Sequence, residues 1–338
     1  MPKPKTIPKQ HDRKPPELAE EFPLTGHQAA RIWPRAAIRE FAFPQPPRPK
    51  PHMIKRRKGA APRAGSTAAG LPKTLDITAA PEGARKPLRL RAGNQPVEPL
   101  FIYPPDNRYA FTDTTYPWRA CGRVVTPAGQ GSGTIIGPRH ILTASHVIDW
   151  TLTNGELGWV RFEADYNNGD TFQPSYAVRT YYYEQLSSVG GEYDVAEDYV
   201  VCVMDRGIGD ELGWLGSKTY DGGWDGGAYW NHVGYPDDIG GGSEPVYEGG
   251  FSIADSWSPG FFETGSGLDM ETFASLNHGD SGGPIFGFWS DGPYVVGVVS
   301  AQGTLSPVVT DLSSRTANWV AGGSEMPDLV NQARGDYP

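Results

Sequence analysis

Cysteine is almost missing from this chain. Cys121 and Cys202, two residues in 338, cannot build a disulfide framework, which excludes a small covalently stapled scaffold. A single bridge and a pair of buried thiols both stay open. Long apolar runs are missing as well. No stretch approaches the ~18 residues of a membrane-spanning helix. The basic N-terminus also leads into no apolar stretch of the kind that a secretory signal carries. A soluble protein with no membrane partner is expected, and its compartment stays open. Beyond residue 117, helical periodicity is absent until the C-terminal end, which argues against alternating strands and crossover helices there.

Acidic residues are scarce in one part and dominant in the other. Residues 1–100 hold 20 Lys and Arg against 8 Asp and Glu, a balance of +12, whereas residues 101–338 carry −21. Proline divides the same way, with 18 of 32 before residue 101. Stretches such as "MPKPKTIPKQHDRKPPE" have too little apolar mass to offset the entropy of ordering them. Residues 1–100 therefore read as a disordered, basic, Pro-rich segment, and residues 101–338 as the folded domain. Only Ala29–Phe43 has the pattern of a short amphipathic helix, and Pro34 limits it. The basic run Lys55–Lys58 reads as solvated or protease-sensitive rather than as a nucleic-acid site.

Beyond residue 117, short runs rich in Val, Ile, Tyr and Trp recur between Gly, Pro, Asn and Asp: "RVVTPAG", "GTIIGPRHILTA", "WVRFEADYNNGDTF", "YAVRTYYYE", "DYVVCVM", "AYWNHVGYP", "GPIFGFW" and "YVVGVVSA". Asn167-Asn168-Gly169 is a hairpin signal. In "SEMPDLVNQARG", Ser324 is placed to cap a helix, Pro327 sits in its first turn and Gly335 marks its stop. Many short strands without crossover helices mean antiparallel sandwiches or barrels, and the length suits two small barrels.

One segment, "NHGDSGGPIF", crowds glycines around Ser281. A turn explains it, and so does a nucleophile whose neighbouring N–H groups grip an oxyanion. The second reading requires a base and a carboxylate that orients it. In "HILTASHVIDW", His146 follows a strand-like run ending in small residues, which lets the ring turn into a cleft. In "EYDVAEDYVVCVMD", Asp198 heads an alternating run at a strand mouth, with Asp194 the runner-up. His11, His27 and His52 lie in the basic arm, and His140 and His232 lie beside turns or within strands. A bare turn accounts for the glycines but not for His146, Asp198 and Ser281 in this order.

"GSGTIIGPRHILTASHVI", "DYVVCVM" and "GDSGGPIF" resemble the signature segments of trypsin-like (chymotrypsin-fold) serine proteases. "DNRYAFTDTTYPWRACGRVV", "GDELGWLG", "HVGYPDD" and "LDMETFASLNHGDSGG" resemble the bacterial glutamyl endopeptidases more closely. The resemblance implies an all-β, double Greek-key barrel endopeptidase with a short C-terminal helix. It implies cleavage of protein or peptide substrates through an acyl-enzyme, without metal or cofactor. Carried over, His146 is the general base and acid, Asp198 orients it, and Ser281 is the nucleophile. The Gly279 and Ser281 amides form the oxyanion hole. The family is usually exported with a pro-segment, a role residues 1–100 fit as well as that of an unrelated linker. A monomer is favoured. A silent protease-fold protein that binds peptides or partners is the alternative.

Val147 stands where animal members carry a bonded cysteine, so that bridge is absent. Two further departures touch specificity. The histidine that binds a glutamate side chain in the resembled subgroup is replaced by Val299, and its assisting threonine by Leu276. A glutamate buried against them would be left unpaired, which is heavily penalised. With Ser275 near the pocket floor, Ser300 in the same wall, Gln302 narrowing the mouth and His278 on the rim, the pocket is expected to take uncharged side chains. No carboxylate is expected behind Ser275 to receive a basic one. Asp280 is expected to await a newly freed N-terminus, as in trypsin-like zymogens.

Overall fold

The computed structural model describes residues 46–55, 80–81, 102–189, 192–258, 267–305 and 315–338. Six strands close the first barrel: β3 (Cys121–Thr126), β4 (Gly129–Gly137), β5 (His140–Thr143), β6 (Arg161–Ala164), β7 (Ser175–Tyr182) and β8 (Val200–Met204). They follow the order β6-β3-β4-β5-β8, and β7 pairs with both β6 and β8 to close the ring. Val124, Ile135, Ile141, Leu142, Phe162 and Val201 belong to the core around it and have no exposed surface. The run Tyr199–Met204 does not alternate, since all six residues are buried. The reason is position: β8 lies between β5 and β7, and the C-terminal helix α3 (Glu325–Asp336) covers its outer side.

The second unit is a nine-stranded sheet curled into a half-barrel. Its strands are β2 (Tyr109–Ala110), β9 (Gly216–Ser217), β10 (Trp230–Gly234), β11 (Val246–Phe251), β12 (Ile253–Trp257), β13 (Gly267–Thr272), β14 (Pro284–Trp289), β15 (Gly292–Leu305) and β16 (Arg315–Gly323). Trp224, Trp230 and Trp289 stack in its core. The lead-in chain is pinned to this unit by β2 against β11 and by Trp118 packed edge-on against Tyr247. The all-β, two-unit architecture with a C-terminal helix is the one expected.

Several local expectations are corrected. The first hundred residues are not uniformly without structure, because Lys50–Met53 forms strand β1 on β7. Composition hides it because the partner lies more than a hundred residues away. The proposed helix at Ala29–Phe43 falls outside the described residues. Asn168 does adopt a left-handed φ of 54°, yet β6 and β7 are joined by a ten-residue loop rather than a tight hairpin. Asn168 is recruited by the second unit instead, its N–H donating to Ser243 O and its amide to Glu244. Gly335 lies inside α3 rather than ending it, and the Ser324 hydroxyl makes no capping bond. Both cysteines are buried free thiols, their pKa pushed up to about 12 by burial.

Candidate active site

His146 sits in a single 3₁₀ turn, Ser145–Val147, directly after β5. Its Nδ1 faces Asp198 Oδ2 at 2.6 Å, and its backbone N–H donates to Asp198 Oδ1 at 2.9 Å. Asp198 follows the short helix α1 (Glu192–Ala196) and precedes β8; it is fully buried, while the His146 side chain keeps 21 % of its surface exposed. Burial alone would pull the His146 pKa down. The Asp198 charge and hydrogen bond outweigh it and raise the pKa above its ordinary value. A proton on Nδ1 satisfies the carboxylate and leaves Nε2 as a base facing the cleft. Asp194, the alternative acid, belongs to α1 and has no bond to His146 among the described residues.

Ser300 was expected in the pocket wall. Its hydroxyl instead donates to Asp198 Oδ2 at 2.6 Å, so it helps to hold the acid. Three donors thus fix one buried carboxylate.

Ser281 comes from the second unit, in the turn before β14. The two units are stitched there by Ser132 on β4, a residue that no local pattern singles out. Ser132 Oγ donates to Gly279 O at 2.6 Å, accepts from Tyr235 N at 2.9 Å, and Ser132 N donates to Ser281 O at 2.7 Å. A Cβ on Gly282 would lie 2.2 Å from Thr143 Oγ1 and 2.6 Å from Ala144 N, so the nucleophile turn rests against the chain leading into His146. Among the described residues, the Ser281 hydroxyl is not hydrogen-bonded to His146.

The backbone of 277–283 is almost fully spent. Asn277 N donates to Asp280 Oδ2, His278 N to Asn277 Oδ1, Asp280 N to Asn277 O, Gly282 N to Val299 O and Gly283 N to Asp280 O. Among the described residues, only the Gly279 and Ser281 N–H groups in this turn have no protein partner. Native structures rarely leave backbone donors idle without a use. Gly279 has φ +93°, and a Cβ there would lie 2.1 Å from Tyr235 O. Gly279→Ala must therefore rotate this peptide away. Turnover of a peptide substrate is expected to fall about a hundred- to a thousandfold with a smaller change in KM. A near-normal kcat would show that this N–H plays no part.

Asp280 is the acid expected to pair with a freed N-terminus. It is buried, and its Oδ1 lies 3.2 Å from His232 Nε2 on β10, an ion-pair approach that is off line for a hydrogen bond. His232 Nδ1 lies 3.2 Å from Pro284 O. The sequence offered no way to see this pairing, because His232 and Asp280 meet only through the sheet.

The remaining pocket candidates are placed as follows. Leu276 and Val299 are buried together in the second core, and His278 is exposed at the rim. Gln302 pairs through its backbone with Asn318, and its side chain lies outside the described residues. Ser275 is buried, and its hydroxyl is engaged with both the N–H and the carbonyl of Tyr103. A carboxyl does lie behind it, contrary to expectation: Glu248 on β11 accepts the Ser275 N–H at 2.7 Å.

Burial pushes the Glu248 pKa up to about 8, helped by Asp106 and Asp280 against the Ser275 N–H and Arg108. The folded protein thus keeps a proton that the unfolded chain releases from roughly pH 4.5 upward, so stability falls as pH rises toward about 8. Glu248→Gln keeps an acceptor for Ser275 and should flatten that fall. Melting temperatures measured across this window test it, and parallel curves for the two proteins would refute it.

No family model matches the sequence, and no curated protein matches it. Solved structures do. One is a Glu endopeptidase in complex with MPD, 15% identical over 68% of this chain and 97% of that one, with a TM-score of 0.50. The chain has the chymotrypsin-like serine-protease fold. Others with this fold are a thermostable serine protease from an extremophilic microorganism, 17% identical over 64% of this chain and 97% of that one (TM-score 0.43), and the protease Anisep from Arthrobacter nicotinovorans, 16% identical over 64% and 93% (TM-score 0.41). Within the chymotrypsin-like fold, His146 and Asp198 belong to the first unit and Ser281 to the second. Among the described residues no cluster of His, Cys, Asp and Glu is arranged to hold a metal ion, and no helix is long and apolar enough to cross a membrane.

Proposed function

We propose that this chain is a serine endopeptidase acting on peptide or protein substrates. The observation that carries the reading is the pair of uncommitted N–H groups at Gly279 and Ser281, in a turn that rests against the chain leading into a histidine held by a buried carboxylate. Ser281 Oγ attacks the scissile carbonyl as His146 Nε2 takes its proton. The two N–H groups hold the oxygen as it becomes negative. His146 then gives the proton to the leaving amine, and an ester to Ser281 remains. Water, deprotonated by the same nitrogen, releases the second product. Asp198 stays ionised throughout and stabilises the imidazolium.

Leu276, Val299 and a Glu248 carboxyl that stays protonated at neutral pH favour uncharged side chains in the specificity pocket. One observation favours a silent, peptide-binding protein: the Ser281 hydroxyl makes no bond to His146. Such bonds commonly tighten only when substrate arrives. A fluorophosphonate probe separates the two readings. Labelling of the folded protein at Ser281, lost in Ser281→Ala, supports the enzyme, and an unlabelled folded protein overturns it. A peptide panel cleaved fastest after Glu, Lys or Arg would overturn the specificity.

A further inference from the structure

The first barrel is short of pairing along one seam. β6 meets β7 only at Arg161–Tyr176 and Phe162–Ser175, with one more bond from Ala177 N to Val160 O. Beyond that point the two strands part. Residues Arg179–Tyr182 of β7 still pair with β8 on one side, but the barrel itself supplies nothing on the other. An open edge of this kind presents a row of unpaired N–H and C=O groups, a template for any extended chain.

Strand β1 lies in that seam. It runs parallel to β7 with Lys50, Pro51, His52 and Met53 opposite Arg179, Thr180, Tyr181 and Tyr182. Past the strand, Ile54 N donates to Tyr182 O at 2.8 Å. On the opposite flank, Leu157 N, in the chain leading to β6, donates to Pro49 O at 3.1 Å. The segment is therefore hydrogen-bonded on both flanks. Pro49 is buried, Ile54 packs on the barrel core, and the His52 ring lies 4.8 Å from Tyr181. The proline-rich sequence suits the place, because Pro51 has no N–H to spend and a strand held by its neighbour needs little propensity of its own.

We infer that residues 46–55 are a donor strand that completes the first barrel and stays docked in the seam after the chain behind it is cut. The basic run Lys55–Lys58 begins where the strand ends, so cleavage there would release the linker and leave the strand in place. The strand that receives it leads on toward the histidine side. Tyr182 packs on Trp150 at 4.6 Å, and Trp150 Nε1 donates to the carbonyls of Ser145 and Leu186. Ser145 is the residue before His146. The docking itself does not depend on the proposed protease activity, and only its effect on turnover does.

The test uses the full chain with Ser281→Ala, so that self-cleavage plays no part, and a specific protease site placed between residues 59 and 75. After the cut, the N-terminal fragment is expected to co-elute with the domain. Excess synthetic peptide of residues 46–55 should displace it. In Ile54→Pro, which removes the donor to Tyr182 O, the fragment should separate after the cut. Exchange of the amides at 179–182 should then rise about tenfold. A fragment that elutes freely from the cut, folded, otherwise unaltered protein overturns the proposal, and so does unchanged exchange at 179–182 once the fragment has been removed. Both readouts are independent of catalysis, so they fail separately from the fluorophosphonate experiment.

Discussion

Ser281→Ala is expected to leave a folded protein whose peptide turnover is lower on the order of a millionfold. The hydroxyl has no partner to lose among the described residues, so the melting temperature should scarcely move. His146→Ala should cost about as much, because an alcohol without a base is a poor nucleophile at neutral pH. The double variant is the sharper test. If the serine and the imidazole act as one unit, removing both costs no more than removing either, and the residual rate comes from the Gly279 and Ser281 N–H groups and from substrate binding. Single-variant losses of only tenfold, or losses that multiply, would mean that the two side chains are not one device. Steady-state kinetics on one peptide suffice, provided that active-site titration excludes traces of unmutated enzyme.

Asp198→Asn is expected to lower turnover about ten-thousandfold. The carboxylate now accepts from three donors: His146 Nδ1, His146 N and Ser300 Oγ. An asparagine whose Oδ1 still accepts the backbone N–H puts its NH₂ in the place of Oδ2, facing both Nδ1 and the Ser300 hydroxyl. That forces the proton onto Nε2, where the base is needed. The pH dependence should move as well. Asp198 raises the His146 pKa, so in the unaltered protein the base is freed at higher pH than it would be without that charge. Without the charge, the acid limb of kcat/KM should shift to lower pH even as its height collapses. A profile unmoved on the pH axis would show that Asp198 does not set the charge of His146. Because Asp198 is buried, a modest loss of melting temperature is compatible with either result, and the pH axis decides.

Much of the barrel architecture was open to view in the chain. β3, β4, β5, β8, β10, β14 and β15 each fall in a run of β-branched and aromatic residues cut by glycine or proline. Such runs report on short-range chemistry, which needs no knowledge of the partner. Gly279 was legible for the same reason, since a glycine flanking a lone serine is a local backbone request. The failures are of another kind. β1 was read as disordered because Lys50–Met53 has no propensity to form a strand until Arg179–Tyr182 offers an edge. Ser300 was placed in a pocket wall, but it turns to Asp198 because the first barrel brings that acid beneath it. The approach of Asp280 to His232 was hidden too, because the two are distant in sequence.

Composition and the spacing of strand runs, with the segments around His146, Asp198 and Ser281, determined on their own that this is an all-β protein of two barrel-like units. They could do so because backbone preference and the chemistry of a nucleophile are settled by near neighbours. Only the folded arrangement decided that Ser132 joins the two halves, that burial raises the pKa of Glu248 beside Ser275 and that a piece of the basic arm belongs to the first barrel. Each of these depends on groups far apart along the chain, whose charge and hydrogen bonding take their values from the burial they share.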